Sequence, residues 1–326
     1  MQRRKFMAAS VLLGGSLTAP QSWAQSTLPS GPIRLVVGFP AGGGTDVLAR
    51  LLGQKLTAMW GIPIIVDNRA GAAGIIAADY VAKQASDGNT LLMAHINSHG
   101  IAPGLHRKLG YSADKDFVPI TMVGQTPMLL VGTPKQPAKT LSALVELCRK
   151  SPGQVTFGSA GTGSAQHLAL EELKTRAKID VLHVPYRGSA LLMNDLFGGQ
   201  IQYCFEGMTT AAPHIKSGRL IALAQTRAKR SKSQPTVPTV AEQGYPGFDS
   251  GIWFALVGPG KLPTSIARRM NADVNKVLAM PDVMERFAEF GAEDGGGTPE
   301  QLDTFMKAEQ RKWAKIIRDG NITPDN

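Results

Sequence analysis

The sequence predicts an α/β protein with a parallel-rich sheet in each of two halves, and three observations carry that expectation. Short β-rich runs alternate with segments of helical period along most of the chain. Each half opens with the same device, a strand followed by a glycine loop and a helix. The one long interruption before the last strand, residues 227–250, carries Pro235, Pro238 and Pro246 and reads as a return path. In the first half, residues 33–39 form a strand entered from Gly31-Pro32. Residues 45–59 follow as a helix, with Leu48, Leu51, Leu52, Leu56 and Met59 at helical spacing. Residues 64–66 are the next strand, 75–84 the next helix, and 90–94 the third strand after Asp87-Gly88. A βαβαβ run of this kind implies parallel pairing with helices on the faces of the sheet.

The second set begins after the Pro-rich stretch 127–137. Helix 141–149 leads to strand 155–157, a glycine loop and helix 165–176. Strand 181–184, helix 190–197, strand 201–205, helix 211–217 and strand 220–224 continue the alternation. After the return path come strand 253–257 and helices over 265–280, 283–290 and 299–318. In the last, Leu302, Phe305, Met306, Trp313, Ile316 and Ile317 form one apolar stripe, which is packing against a sheet and not a cofactor site.

Composition bounds the function. The chain has 326 residues, 43% hydrophobic and 18% charged, enough for two core-forming domains and too apolar for disorder. At the start, Arg3, Arg4 and Lys5 precede an apolar stretch from Met7 to Ala19, and Ser22-Trp23-Ala24 offers a small-x-small cleavage site. Residues 1–24 are therefore expected to be a signal peptide, cut between Ala24 and Gln25, with a possible twin-arginine character in Arg3-Arg4. The stretch is too short for a membrane span. Removing it lowers the net charge from +10 to +7, because Arg3, Arg4 and Lys5 leave and no acid does. A positive field attracts anions. Nucleic acid is not expected, since the densest basic run, 227–232, sits in a Pro/Ser-rich loop without interleaved aromatics. Cys148 and Cys204 lack Cys-x-x-Cys spacing; in an oxidising compartment they can pair across a long loop, and the favoured alternative is two buried apolar residues, one in a helix and one in a strand.

The two glycine loops carry the chemistry. In Phe39-Pro40-Ala41-Gly42-Gly43-Gly44-Thr45-Asp46, three glycines before a helix let the main chain turn and expose N–H groups beside the positive end of a helix dipole. Thr45 can cap the helix or meet a ligand, and Asp46 has the wrong charge for an anion and reads as a brace. The second loop, Gly158-Ser159-Ala160-Gly161-Thr162-Gly163-Ser164, repeats the logic and ends at an N-cap, Ser164. Two such loops at the ends of strands suit a ligand gripped from both sides. Nucleotide and nucleophile-elbow signatures are absent: Gln166 stands where a dinucleotide fingerprint needs its third glycine, and no Gly-x-Ser-x-Gly occurs. His95 and His99 follow a strand without an accompanying acid and read as loop or core residues, so no metal is expected. His167, on the first turn behind the second loop, could reach an anion or simply pack.

The residues also resemble a family. Residues 39–46 with Ala49-Arg50, then Val66-Asp67-Asn68-Arg69 and Gly71-Ala72-Ala73-Gly74, are similar to the substrate-binding proteins of tripartite tricarboxylate transporters, the Bug family. So are His183-Val184-Pro185-Tyr186, Pro213-His214-Ile215-Lys216-Ser217-Gly218, Pro238-Thr239-Val240-Ala241-Glu242 and Trp253-Phe254, in the family's order over essentially the whole chain after the leader. The resemblance implies a two-domain periplasmic binding (Venus-flytrap) fold with a hinge. Residues 28–126 plus 252–326 would form one domain and 127–251 the other. It implies a monomeric periplasmic receptor, without cofactor or enzymatic activity, that captures a small organic anion, a carboxylate, for inner-membrane permease subunits. The ligand contacts it implies are Ala41, Gly42, Gly43, Gly44 and Thr45 from the first loop and Ser159, Ala160, Gly161, Thr162 and Ser164 from the second. Asn97 and Ser98 would add a third cleft loop, with His167 behind the second. Glu206 stands where many relatives have an aspartate facing the cleft, which leaves the far end of the ligand open. A ligand sensor for a signalling partner would use the same cleft, and a cleft hydrolase would need a nucleophile–base set that no spacing marks.

Overall fold

The computed structural model describes residues 28–324, so the expected signal peptide over 1–24 lies outside the described residues. The β-branched run Ile33–Val37 forms β1, buried at four of its five positions. It is followed by α1 (Gly44–Trp60), β2 (Ile64–Asn68), a 3₁₀ turn at Ala72–Gly74, α2 (Ile75–Ala82) and β3 (Thr90–His95). β1 lies between β2 and β3, parallel to both, as the βαβαβ pattern requires. Next come a π-type turn at Ile96–Ile101, the short α3 (Ala102–Leu105) and a long strand, β4 (Phe117–Gly132).

The second set is α4 (Leu141–Lys150), β5 (Thr156–Ser159), α5 (Ala165–Ala177), β6 (Leu182–Pro185), α6 (Ser189–Gly198), β7 (Tyr203–Gly207), α7 (Met208–Lys216) and β8 (Ile221–Gln225). The chain then returns through β9 (Gly251–Pro259) to α8 (Thr264–Leu278), α9 (Pro281–Glu289) and α10 (Pro299–Asp319). The strands run in the order β2-β1-β3-β9-β4-β7-β5-β6, with β8 on the other side of β4. The parallel pairs lie within each set of alternating units, β1 with β2 and β3, and β5 with β6 and β7. The antiparallel pairs all involve β4 or β9, and β4 pairs in both sheets: with β9 over its first part and with β7 and β8 over its last.

Two stretches differ from the sequence expectation. Residues 127–132 belong to β4 and not to a Pro-rich connection. The prolines are tolerated because each sits where a ladder bond is dispensable. Pro119 borders a register shift against β9, and Pro127 pairs with Gly251 at the last position before β4 leaves β9 for β7. Residues 96–105, expected as a loop, are helical turns. Gly100, Pro103 and Gly104 erase the periodicity there, and burial of the whole π turn holds it instead.

The last helix closes the structure. Thr298 and Gln301 form a reciprocal capping box at its start, and Leu302, Met306, Trp313 and Ile317 are buried along one stripe. Its Glu309 Oε2 accepts the indole N–H of Trp253 on β9 at 3.0 Å and of Trp313 at 2.9 Å. One carboxylate oxygen thus satisfies two buried indoles from different elements. Glu309→Met keeps the length of the side chain and leaves both N–H groups unpaired; we expect a loss of about 2 kcal/mol, read as a lower midpoint in urea denaturation.

Candidate functional site

The first glycine loop is braced from behind. Asp46, buried on the first turn of α1, accepts from the Gly42 N–H at 2.8 Å, from Arg50 Nε at 2.9 Å and from Asn68 Nδ2 at 2.8 Å. Asn68, at the end of β2, also donates to the Phe39 carbonyl and accepts from Arg50. Burial works against the Asp46 charge, but the hydrogen bonds from Arg50, Gly42 and Asn68 and the charge of Arg50 outweigh it and hold the carboxyl below its ordinary range. With its own side chains tied inward, the loop presents its main chain. Among the described residues, no acceptor meets the N–H of Ala41, Gly44 or Thr45. Ala41, Gly42 and Gly43 are exposed, Gly44 is half-buried and Thr45 is buried.

The second loop is built alike. Ser159 is fully buried, with Oγ 2.7 Å from His183 Nε2 and bonded to both the carbonyl and the N–H of Gly161. Ser164 caps α5 by accepting from the His167 N–H at 3.3 Å, and His167 Nδ1 accepts from the Gly163 N–H at 3.0 Å. The His167 ring stacks on His183 with centroids 4.0 Å apart and planes 5° from parallel. Gly163 has φ +74°, and a Cβ there would lie 2.1 Å from Leu105 Cδ2, so α3 abuts this loop directly. Ala160, Gly161 and Thr162 are half-buried, and the N–H groups of Ala160 and Thr162 meet no acceptor among the described residues.

The π turn after β3 joins the loops. Asn97 Oδ1 accepts from the Ala165 N–H at 3.2 Å, so this side chain reaches the start of α5 across the gap between the sheets. Ser98 turns inward: its hydroxyl lies against the His95 carbonyl at 3.1 Å and His99 Nδ1 at 3.0 Å. His95 Nδ1 accepts from the Asn97 N–H at 3.1 Å. Burial pushes both His95 and His99 down to about 3, the charge of His99 adding to the effect on His95, so both rings are neutral. The described residues hold no group of His, Cys, Asp and Glu arranged for a metal, and Cys148 and Cys204 are buried and unbonded.

Glu206 is the last residue but one of β7, beside these loops. Its Oε1 accepts from the Gly207 N–H at 2.8 Å and the Ser189 hydroxyl at 3.1 Å, while Oε2 is buried with no hydrogen-bond partner. Burial pushes the carboxyl up to about 7, against the hydrogen bonds from Gly207 and Ser189 and the dipole of the nearby Gln166 amide, which lies outside hydrogen-bond reach. Three neighbours escaped the sequence reading. Ser189 starts α6, Gln166 lies on the first turn of α5, and Thr209 opens α7, where a Cβ on Gly44 would lie 2.5 Å from its Oγ1. Gly207-Met208-Thr209 is a third strand-to-helix junction; one glycine makes a fainter signal than three, so only the fold brings it to the first loop.

Two sheets joined through β4, each with a braced glycine loop between its first parallel strand and the following helix, are the fold of a two-domain binding protein of the periplasmic type. The model of the tripartite tricarboxylate transporter family receptor matches residues 48–322, and the chain belongs to that family. It is 39% identical to Protein BugT of Bordetella pertussis over 93% of this chain and 93% of that protein. A Rhodopseudomonas palustris protein solved with adipate superposes with a TM-score of 0.86 at 34% identity, covering 91% of this chain and 99% of that one. MatC from Rhodopseudomonas palustris with bound malate gives 0.81 at 32% identity, covering 89% and 100%.

Two outcomes follow. Asp46→Ala frees the Gly42 N–H and leaves Arg50 with its bond to Asn68 but no carboxylate, and should cost about 2 kcal/mol in denaturant titration. A histidine held below its ordinary 6.5 supports the fold above that pH and ceases to as pH falls toward its folded value. Stability should therefore drop from about pH 6.5 toward about pH 3, and His99→Leu should flatten that limb in melting curves taken across the range.

Proposed function

We propose that the chain captures a small carboxylate between the two glycine loops and delivers it to the membrane subunits of a tripartite tricarboxylate transporter. The observation that carries this reading is the pair of loops whose side chains are spent on bracing while main-chain N–H groups face outward. Such groups bind an oxyanion without placing a titratable cation in the site. The adipate and malate held by two relatives support a carboxylate as the ligand. Ala41, Gly42, Gly43, Gly44 and Thr45 would grip it on one side. Ser159, Ala160, Gly161, Thr162 and Ser164 would grip it on the other, with Asn97, Ser98, His167 and Glu206 shaping the space. Residues 28–126 plus 252–326 act as one domain and 127–251 as the other, hinged where β4 passes from β9 to β7 and where β9 begins. A monomer exported with its leader removed after Ala24 fits this role.

No bond is made or broken in this reading. Ser159 lies near His183, but it is fully buried and bonded within its own loop, so it braces rather than attacks.

The test is thermal melting of the exported protein against small carboxylates, amino acids and neutral sugars. A carboxylate at a hundred times its Kd should add about 2.7 kcal/mol. Stabilisation by neutral sugars alone would overturn the reading. Closure has its own check. Gly44→Ala sets a methyl against Thr209, and we expect carboxylate affinity to fall by about tenfold or more with little change in the melting of the free protein. Thr209→Ala on that background should restore part of it.

A further inference from the structure

Glu206 is a buried carboxylate with one oxygen used and one idle. Oε1 takes two donors, Gly207 N–H and Ser189 Oγ, whereas Oε2 is buried with no hydrogen-bond partner among the described residues. The residue is 2% exposed. A buried acceptor left in that state is costly, and the cost is relieved when a donor arrives. The position is not a core position. Glu206 is the last residue but one of β7, next to the junction whose Thr209 meets the first loop, and its neighbour Gln166 sits on the helix that opens from the second loop. The groups acting on its charge, Gly207, Ser189 and Gln166, are all neutral, so no cation stands between this carboxylate and whatever lies before it. A second ligand carboxylate placed there would meet like charge in a low-dielectric site.

We infer that Glu206 reads the part of the ligand that the main-chain N–H groups of the glycine loops do not hold, and selects a carboxylate that carries an N–H or O–H donor there over one that carries a second carboxylate. This rests on the carboxylate reading above and names the class within it. An ammonium, a hydroxyl or an amide would each satisfy Oε2, the ammonium most strongly because the bond is then charge-assisted. Gln166 and Ser189 frame the same space and hold the Glu206 side chain in one orientation, which is what lets a single oxygen discriminate.

The experiment is calorimetric titration of the exported full-length gene product with matched pairs, γ-aminobutyrate and γ-hydroxybutyrate against succinate, and ε-aminocaproate against adipate. At about pH 8, wild-type protein should favour the donor-ended member of a pair by about tenfold or more. Glu206→Gln keeps an acceptor for Gly207 and Ser189 and offers an amide donor outward; it should lose that preference and gain affinity for the dicarboxylate. On wild-type protein alone, lowering the pH to about 5.5 protonates the carboxyl, so the dicarboxylate should tighten and the ammonium-ended ligand weaken. This series decides the matter even if the variant folds poorly. A wild-type protein that binds the dicarboxylate at least as well at about pH 8, with a ratio indifferent to pH, overturns the role of Glu206 and leaves carboxylate capture intact. A protein that binds none of the set while neutral sugars stabilise it overturns both.

Discussion

Residues 117–127 of β4 pair antiparallel with β9, and the same strand then runs on to pair with β7 and β8 in the second sheet. Each sheet is thereby built around a strand that the other also owns. The first sheet cannot complete its ladder until the chain has returned from the second at residue 251, because β9 lies between β3 and β4. The handover is compact. Pro127 has no N–H to give as β4 leaves β9, Met128 N–H is taken by Thr226 Oγ1 at 2.9 Å, and Ser250 N–H by the Thr226 carbonyl at 2.9 Å. Two buried hydroxyls at this crossing, Thr126 Oγ1 and Ser250 Oγ, have no hydrogen-bond partner among the described residues. Sparse side-chain bonding where two strands cross is a suitable place for small φ/ψ changes to be absorbed while both sheets stay intact.

The loops at the carboxyl ends of the strands share a second constraint. To hold an anion through main-chain N–H groups, a loop needs rigidity without negative charge beside the ligand. Imidazole nitrogens supply it: His95 Nδ1 accepts the Asn97 N–H, and His167 Nδ1 accepts the Gly163 N–H. Where a carboxylate is used instead, at Asp46, Arg50 sits on it at 2.9 Å. Glu206 breaks this pattern, since it is a buried carboxylate whose neighbours Gly207, Ser189 and Gln166 are all uncharged.

Much of this was legible one segment at a time. The leucines of α1, the stripe on α10 and the glycine runs before α1 and α5 are local signals, and each corresponds to an element at nearly the expected place. Asp46 as a brace and Ser164 as an N-cap were also readable, because a side chain that satisfies N–H groups within four residues depends on local geometry alone. The unmarked parts were non-local. A proline-bearing stretch resembles a linker until a partner strand shows that its missing donor is not needed, and buried polar turns such as Ile96–Ile101 have no hydrophobic period to announce them.

The sequence alone therefore determined the α/β alternation, the two glycine loops before α1 and α5 and the family resemblance, since periodicity, glycine and helix starts are encoded within a few residues of one another. The tertiary structure alone decided that β4 ties the sheets together, that Thr209 lies against Gly44, and that Asn97 reaches α5. It also decided that one oxygen of Glu206 stays buried without a partner. Each of these joins residues that are far apart along the chain, or depends on which atoms burial leaves without solvent, and neither is written in local order.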